Sequence, residues 1–178
     1  MILNQTKTME PMMNRCFFPG SFDPFTFGHK NIIEKVSVVS EHIIIGIGQH
    51  HEKNSLIDIH TRESLLNESI KSIVAPNTKI DVIIFDSLLV QAAKDNQCNI
   101  IIRGLRDTSD LNYELRMYNT NRKIEPNIET LFIPTDNDLN HISSSLVKQI
   151  YKLGGSIDSL VPDNINKYLI KNINSITK

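Results

Sequence analysis

Nearly unbroken runs of Ile, Val and Phe recur at residues 16–18, 42–48, 80–85, 99–102 and 130–133, separated by longer stretches of mixed polarity. Runs this short and this apolar predict strands buried on both faces, as in a parallel sheet covered by helices. The stretches between them carry helical patterns and predict helices at 29–39, 59–73, 88–96, 110–124, 144–152 and, beyond Pro162, 164–171. Pro76, Pro126 and Gly154-Gly155 punctuate the helix ends. The repeated alternation of strand and helix predicts an α/β fold: a single Rossmann-like, doubly wound domain with a five-stranded parallel sheet.

Composition fits that picture. A chain of 178 residues suits one domain that buries roughly two thirds of its unfolded surface. The hydrophobic fraction of 40% and charged fraction of 22% are those of an ordinary soluble protein. A net charge of -1 argues against a sequence-independent nucleic-acid binder, which needs a basic surplus, so no nucleic-acid partner is expected. No apolar run approaches the length of a membrane span, and residues 1–13 lack the apolar core of a signal peptide. The expectation is a cytoplasmic protein with no membrane partner, a disordered extension at 1–13 and the folded domain at 14–178. Cys16 and Cys98 lie beside apolar residues in predicted strands and are read as reduced core thiols.

Ligands of open α/β sheets bind beyond the carboxyl ends of the strands, so the residues following each strand carry the chemistry. After the first run comes Phe18-Pro19-Gly20-Ser21-Phe22-Asp23-Pro24-Phe25-Thr26-Phe27-Gly28-His29, a turn-rich loop that opens a helix at Gly28-His29. A helix N-terminus is an anion site, Gly28 lets a phosphate approach the backbone, and His29 can donate a ring N–H to a developing oxyanion. Lys53 follows the second run, Arg103-Gly104-Leu105-Arg106 the fourth, and His141-Ile142-Ser143-Ser144-Ser145 the fifth. The triple serine starts another helix and supplies a second anion site facing the first. Two helix N-termini, two arginines, a lysine and a histidine suit a nucleoside triphosphate.

Singly, each element has a plainer explanation. His29 can be an ordinary helix-terminal histidine, Lys53 a surface lysine, the serines a cap, and Tyr113 and Glu114 members of a helix face. An Arg-Gly-x-Arg directly after a buried strand is poorly explained by solubility alone. His50-His51 has no Cys or carboxylate array at ligand spacing and reads as an exposed loop pair, so no protein-built metal site is expected.

From about Asn14 to Lys171 the chain resembles the bacterial phosphopantetheine adenylyltransferases, nucleotidyltransferases marked by a (His/Thr)-x-Gly-His motif. Three separated motifs carry the resemblance. They are Pro19-Gly20-Ser21-Phe22-Asp23-Pro24 with Thr26-x-Gly28-His29, Arg103-Gly104-Leu105-Arg106 followed by Asp110-x-x-Tyr113-Glu114, and Ile142-Ser143-Ser144-Ser145-Leu146-Val147-Lys148. The resemblance implies transfer of adenylate from ATP to 4'-phosphopantetheine, with Mg2+ bound mainly through the ATP phosphates, and a homohexamer. It implies His29, Lys53 and Arg103 as catalytic, and Ser21, Lys53, Leu88, Leu89 and Arg103 at the acceptor. It implies ATP contacts at Ser21, Phe22, His29, Gly104, Leu105, Arg106 and Glu114, and at Leu139, Asn140, His141, Ile142, Ser143, Ser144 and Ser145. The chain has Ser21 where the family usually has Thr, Leu139 where it tends to have an aromatic residue, and a longer loop at Asp136-Asn137-Asp138. Sister transferases acting on nicotinate mononucleotide or glycerol phosphate, and a nucleotide-binding module without catalysis, are the competing readings.

Overall fold

The computed structural model describes residues 13–49, 55–73 and 77–176. Strands and helices alternate through β1 (Met13–Gly20), α1 (Phe27–Ser37), β2 (Ser40–Gly48), α2 (Ile59–Ile70), β3 (Lys79–Phe85), α3 (Leu89–Asp95), β4 (Ile100–Leu105), α4 (Thr108–Ile124) and β5 (Glu129–Pro134). Two helices, α5 (Ser144–Lys152) and α6 (Asp163–Ile176), end the chain. The strands form one parallel sheet in the order β3-β2-β1-β4-β5. The winding reverses between β1 and β4, so the crevice at their carboxyl ends is the topological switch point where such sheets bind ligands.

The apolar runs make these strands because both of their faces are covered. On β1, Cys16 and Phe18 point to one side and Phe17 to the other, all at most 4% exposed. On one face, Ile43, Ile45, Ile47 and Ile102 pack with Ile32, Ile33 and Val36 of α1, Leu66 of α2, Val147 and Tyr151 of α5, and Ile165 and Leu169 of α6. The other face is thinner: Phe17, Ile44, Ile101 and Ile128 meet Val90, Ala92 and Ala93 of α3. Coverage there fades toward the edge, where α4 buries only Glu114.

The differences from the sequence reading are local. β4 continues through Arg103, Gly104 and Leu105, because these pair with Phe132, Ile133 and Pro134 of β5; the basic motif starts on the strand instead of after it. α1 begins two residues early at Phe27, capped by Thr26, and α4 begins at Thr108, capped by Asp107. α2 ends at Ile70, while α6 extends to Ile176. Cys16 lies in β1, whereas Cys98 sits in the turn before β4; both are free and buried, and burial pushes their thiols up to about 11 and about 12. Residues 1–12 of the expected extension lie outside the described residues, and Met13 already pairs with Ser40 in the sheet.

Candidate active site

At the switch point a cavity of about 280 Å³ is lined by Ser21, Gly28, His29, Arg103, Gly104, Arg106, Glu114 and Ile142 to Ser145, among others. Three of the four separated segments singled out in the sequence therefore converge. Lys53, the fourth, lies outside the described residues.

The loop after β1 sets His29. Thr26 adopts an extended backbone as N-cap, its Oγ1 accepts the His29 N–H, and His29, third residue of α1, turns its ring back onto the cap. The Thr26 N–H donates to His29 Nδ1 at 3.0 Å, which makes Nδ1 an acceptor and leaves the ring proton on Nε2. The ring stacks on Phe25 and meets the edge of Phe22. Burial, reinforced by the positive charges of Arg106 and Arg103, holds its pKa down at about 4. His29 is thus a neutral imidazole with one fixed donor.

Both arginines are held by carboxylates from α4. Arg103 gives Nε and Nη2 to the two oxygens of Glu114, at 2.7 and 2.5 Å, and Nη1 to the Pro19 carbonyl at 2.9 Å. Arg106 gives Nε and Nη2 to Asp110, both at 2.8 Å. A guanidinium carries five N–H bonds, so each arginine keeps donors for a ligand after its plane is fixed. The Asp110 hydrogen bond raises the Arg106 pKa further, so its charge is permanent.

The serine run forms the opposite wall. Ser143 caps α5 by accepting the Leu146 N–H at 3.1 Å, and Ser144 donates its hydroxyl to the Pro24 carbonyl at 2.8 Å. Lys148, one turn into α5, reaches back to the buried Asp23 at 2.6 Å, and Asp23 also accepts the Leu56 and Ile57 N–H groups at 2.9 Å each. Two helix N-termini, those of α1 and α5, thus face one cavity, an arrangement that favours anions.

Other sequence-derived candidates are placed less directly. The Phe22 side chain is 2% exposed in the core and leaves only its backbone for a ligand. Leu105 ends β4, and Leu139, Asn140 and His141 form the turn leading to Ser143, without lining the cavity. Leu88 and Leu89 line an adjoining, more apolar cavity of about 370 Å³, which shares Ser21, Arg103 and Glu114 with the first. Tyr113, Met117, Tyr118 and Asn121 of α4 line it too, so Tyr113, read from sequence as a plain helix-face residue, borders a pocket. Sequence reasoning also missed Asp110 and Asp23 as the partners of Arg106 and Lys148. The i,i+4 spacing of Arg106 and Asp110 was the available signal for the first; for the second, partners more than a hundred residues apart gave none.

Neutral histidine, fixed arginines and paired helix ends at the switch point of a parallel sheet define a site for moving a nucleotidyl group. The cytidylyltransferase-like family model matches residues 17–150. A phosphopantetheine adenylyltransferase of Wolbachia sp. subsp. Brugia malayi is 41% identical over 159 residues, covering 89% of this chain and 93% of its own. That of Clostridium tetani is 40% identical over 163 residues, covering 92% and 99%. Among solved structures, Plasmodium falciparum nicotinic acid mononucleotide adenylyltransferase complexed with NaAD superposes with a TM-score of 0.69 at 18% identity, covering 92% of this chain and 98% of that one; at this identity the likeness concerns the fold. The chain belongs to the cytidylyltransferase-like family and, within it, to the phosphopantetheine adenylyltransferases.

Proposed function

We propose that the protein transfers the adenylyl group of ATP to 4'-phosphopantetheine, giving dephospho-coenzyme A and pyrophosphate in coenzyme A synthesis. An acceptor phosphate oxygen attacks the α-phosphorus in line, the bond from that phosphorus to the bridging oxygen of the β-phosphate breaks, and pyrophosphate leaves. The acceptor is already anionic, so no base is needed. What the site must supply is donors that bring two anions together and hold the charge that builds on the α-phosphoryl oxygens. The observation that carries this reading is His29, a neutral imidazole with its proton fixed on Nε2 in a cavity shared with Arg103 and Arg106.

In this reading His29 donates to the α-phosphate, Lys53 and Arg103 hold the attacking phosphate, and Arg106 with the amides at Ser143 to Ser145 holds the outer phosphates. Ser21 stands between the substrates, as its place in both cavities supports. The apolar cavity beside Leu88 and Leu89 accommodates the pantetheine arm. The decisive assay is pyrophosphate release by purified protein with ATP, 4'-phosphopantetheine and Mg2+; nicotinate mononucleotide and glycerol phosphate as acceptors are expected to give none.

Among the described residues no group of three or more His, Cys, Asp and Glu could hold a metal ion, and Asp110 and Glu114 are committed to arginines. In this reading Mg2+ arrives on the ATP phosphates. Assembly as a homohexamer is supported by the apolar side chains that α4 leaves uncovered: Leu115, Met117 and Ile124 are 37 to 51% exposed. Sedimentation velocity tests it. No described helix is long and apolar enough to cross a membrane, which fits the proposed cytoplasmic location.

A further inference from the structure

We infer that Arg62, on α2 and outside every motif that identifies the site, is a positioning residue for adenylyl transfer, fixing the Ser21–Phe22 peptide on which the reacting phosphates are held. Its Nη1 donates to the Ser21 carbonyl at 2.6 Å, across 41 positions of sequence. Ser21 is an exposed residue that borders three adjoining cavities: the one containing His29, the apolar one beside Leu88, and a third that Arg62 itself lines.

The loop after β1 needs outside support at this point. Phe22 has φ of 45°, in the left-handed region that a bulky residue rarely adopts, so the preceding peptide does not hold its orientation by backbone preference alone. Arg62 braces it through the Ser21 carbonyl, two residues beyond the Pro19 carbonyl at the end of β1 that Arg103 holds. In a trans peptide the N–H points opposite to the C=O, so the bond from Arg62 also aims the Phe22 N–H away from α2. With the Phe22 side chain in the core, that N–H and the Ser21 hydroxyl are the groups this peptide can offer an anion.

Docking of α2 does not explain the residue. Asp23 already ties the segment before α2 to the loop through the Leu56 and Ile57 amides, Leu66 is fully buried, and Ser69 bonds to Asn164 of α6. Arg62 is itself 8% exposed, and its Nε is buried with no hydrogen-bond partner. A residue retained only for packing would be better served by an apolar side chain, since burying an unpaired donor disfavours the folded state. The charge faces Asp23 and Asp58, and Nη1 lands on the Ser21 carbonyl.

The test, which rests on the adenylyl-transfer reading, compares wild type with R62M, R62K and R62Q by steady-state kinetics, direct titration of ATP binding and urea unfolding. Wild-type pyrophosphate release is measured first, so a failure of that reading shows before any variant is made. R62M is expected to lower kcat by about 10- to 100-fold while ATP affinity stays within about threefold, the signature of lost geometry in the transition state. R62K, which can still donate to the Ser21 carbonyl, is expected to recover about fivefold or more over R62M. Unchanged kcat in a folded R62M, equal losses of kcat and ATP affinity, or R62K no better than R62M would each overturn the proposal. Should R62M not fold, R62Q is judged by the same split: a kcat loss at preserved ATP affinity supports the role, and unchanged kcat refutes it.

Discussion

Thr26 and His29 serve each other in opposite directions: the His29 N–H caps onto Thr26 Oγ1 at 3.4 Å, and the Thr26 N–H returns to His29 Nδ1 at 3.0 Å. The contact that starts α1 therefore also selects the imidazole tautomer. A local capping box can orient a chemical group because its acceptor is a ring that has a second nitrogen to spare.

Removing that second nitrogen should slow the reaction without unseating the nucleotide. His29→Ala is expected to lower kcat by about 10²- to 10³-fold with ATP affinity changed only a few-fold, because the Nε2–H bond strengthens mainly in the transition state. Single-turnover kinetics beside ATP titration checks this, and equal losses in both would contradict the role.

The depressed His29 pKa has a consequence for stability. In the unfolded chain the ring takes up a proton near pH 6.5, whereas in the folded protein it resists until about pH 4. Between these values the unfolded state binds more protons, so this contribution is fully present above about pH 6.5 and declines as pH falls toward 4. Urea midpoints at pH 7 and pH 5 should drop more for wild type than for His29→Gln.

Glu114 fixes the plane of the Arg103 guanidinium. The carboxylate is 8% exposed and takes two charge-assisted hydrogen bonds. Glu114→Ala is expected to cost about 1–3 kcal/mol of stability and to raise the KM for 4'-phosphopantetheine about tenfold, as Arg103 loses its fixed plane. Chemical denaturation and acceptor titration measure the two effects separately.

Much of this was legible in the chain. The strands were readable because a sheet buried on both faces writes itself as unbroken Ile and Val, and the site because its residues sit at strand ends. The end of β4 was not: Arg103 and Gly104 look like loop residues, and only their pairing with Phe132 and Ile133 makes them strand. Arg62 was invisible for a different reason. An arginine in a polar helix resembles a solvated one until the fold places it under Ser21. The apolar pocket wall was half legible, since Leu88 and Leu89 came from the family match whereas Met117 and Tyr118 come from α4 packing across the crevice.

Gly46, near the carboxyl end of β2, tests the sheet itself. A Cβ there would overlap the Phe17 ring and come within 3.0 Å of Phe85, two rings that already pack edge to face at 5.5 Å. Gly46→Ala is expected to destabilise the protein by about 1–3 kcal/mol, read from the shift in urea midpoint at unchanged m-value.

The hydroxyl of Ser144 on the Pro24 carbonyl and the ammonium of Lys148 on Asp23 join the start of α5 to the loop that leads into α1. Residues some 120 positions apart therefore behave as one mechanical part. Mutations at the two ends should be epistatic: a second lesion adds little once the first has loosened the tie, so selection acting on either motif constrains both.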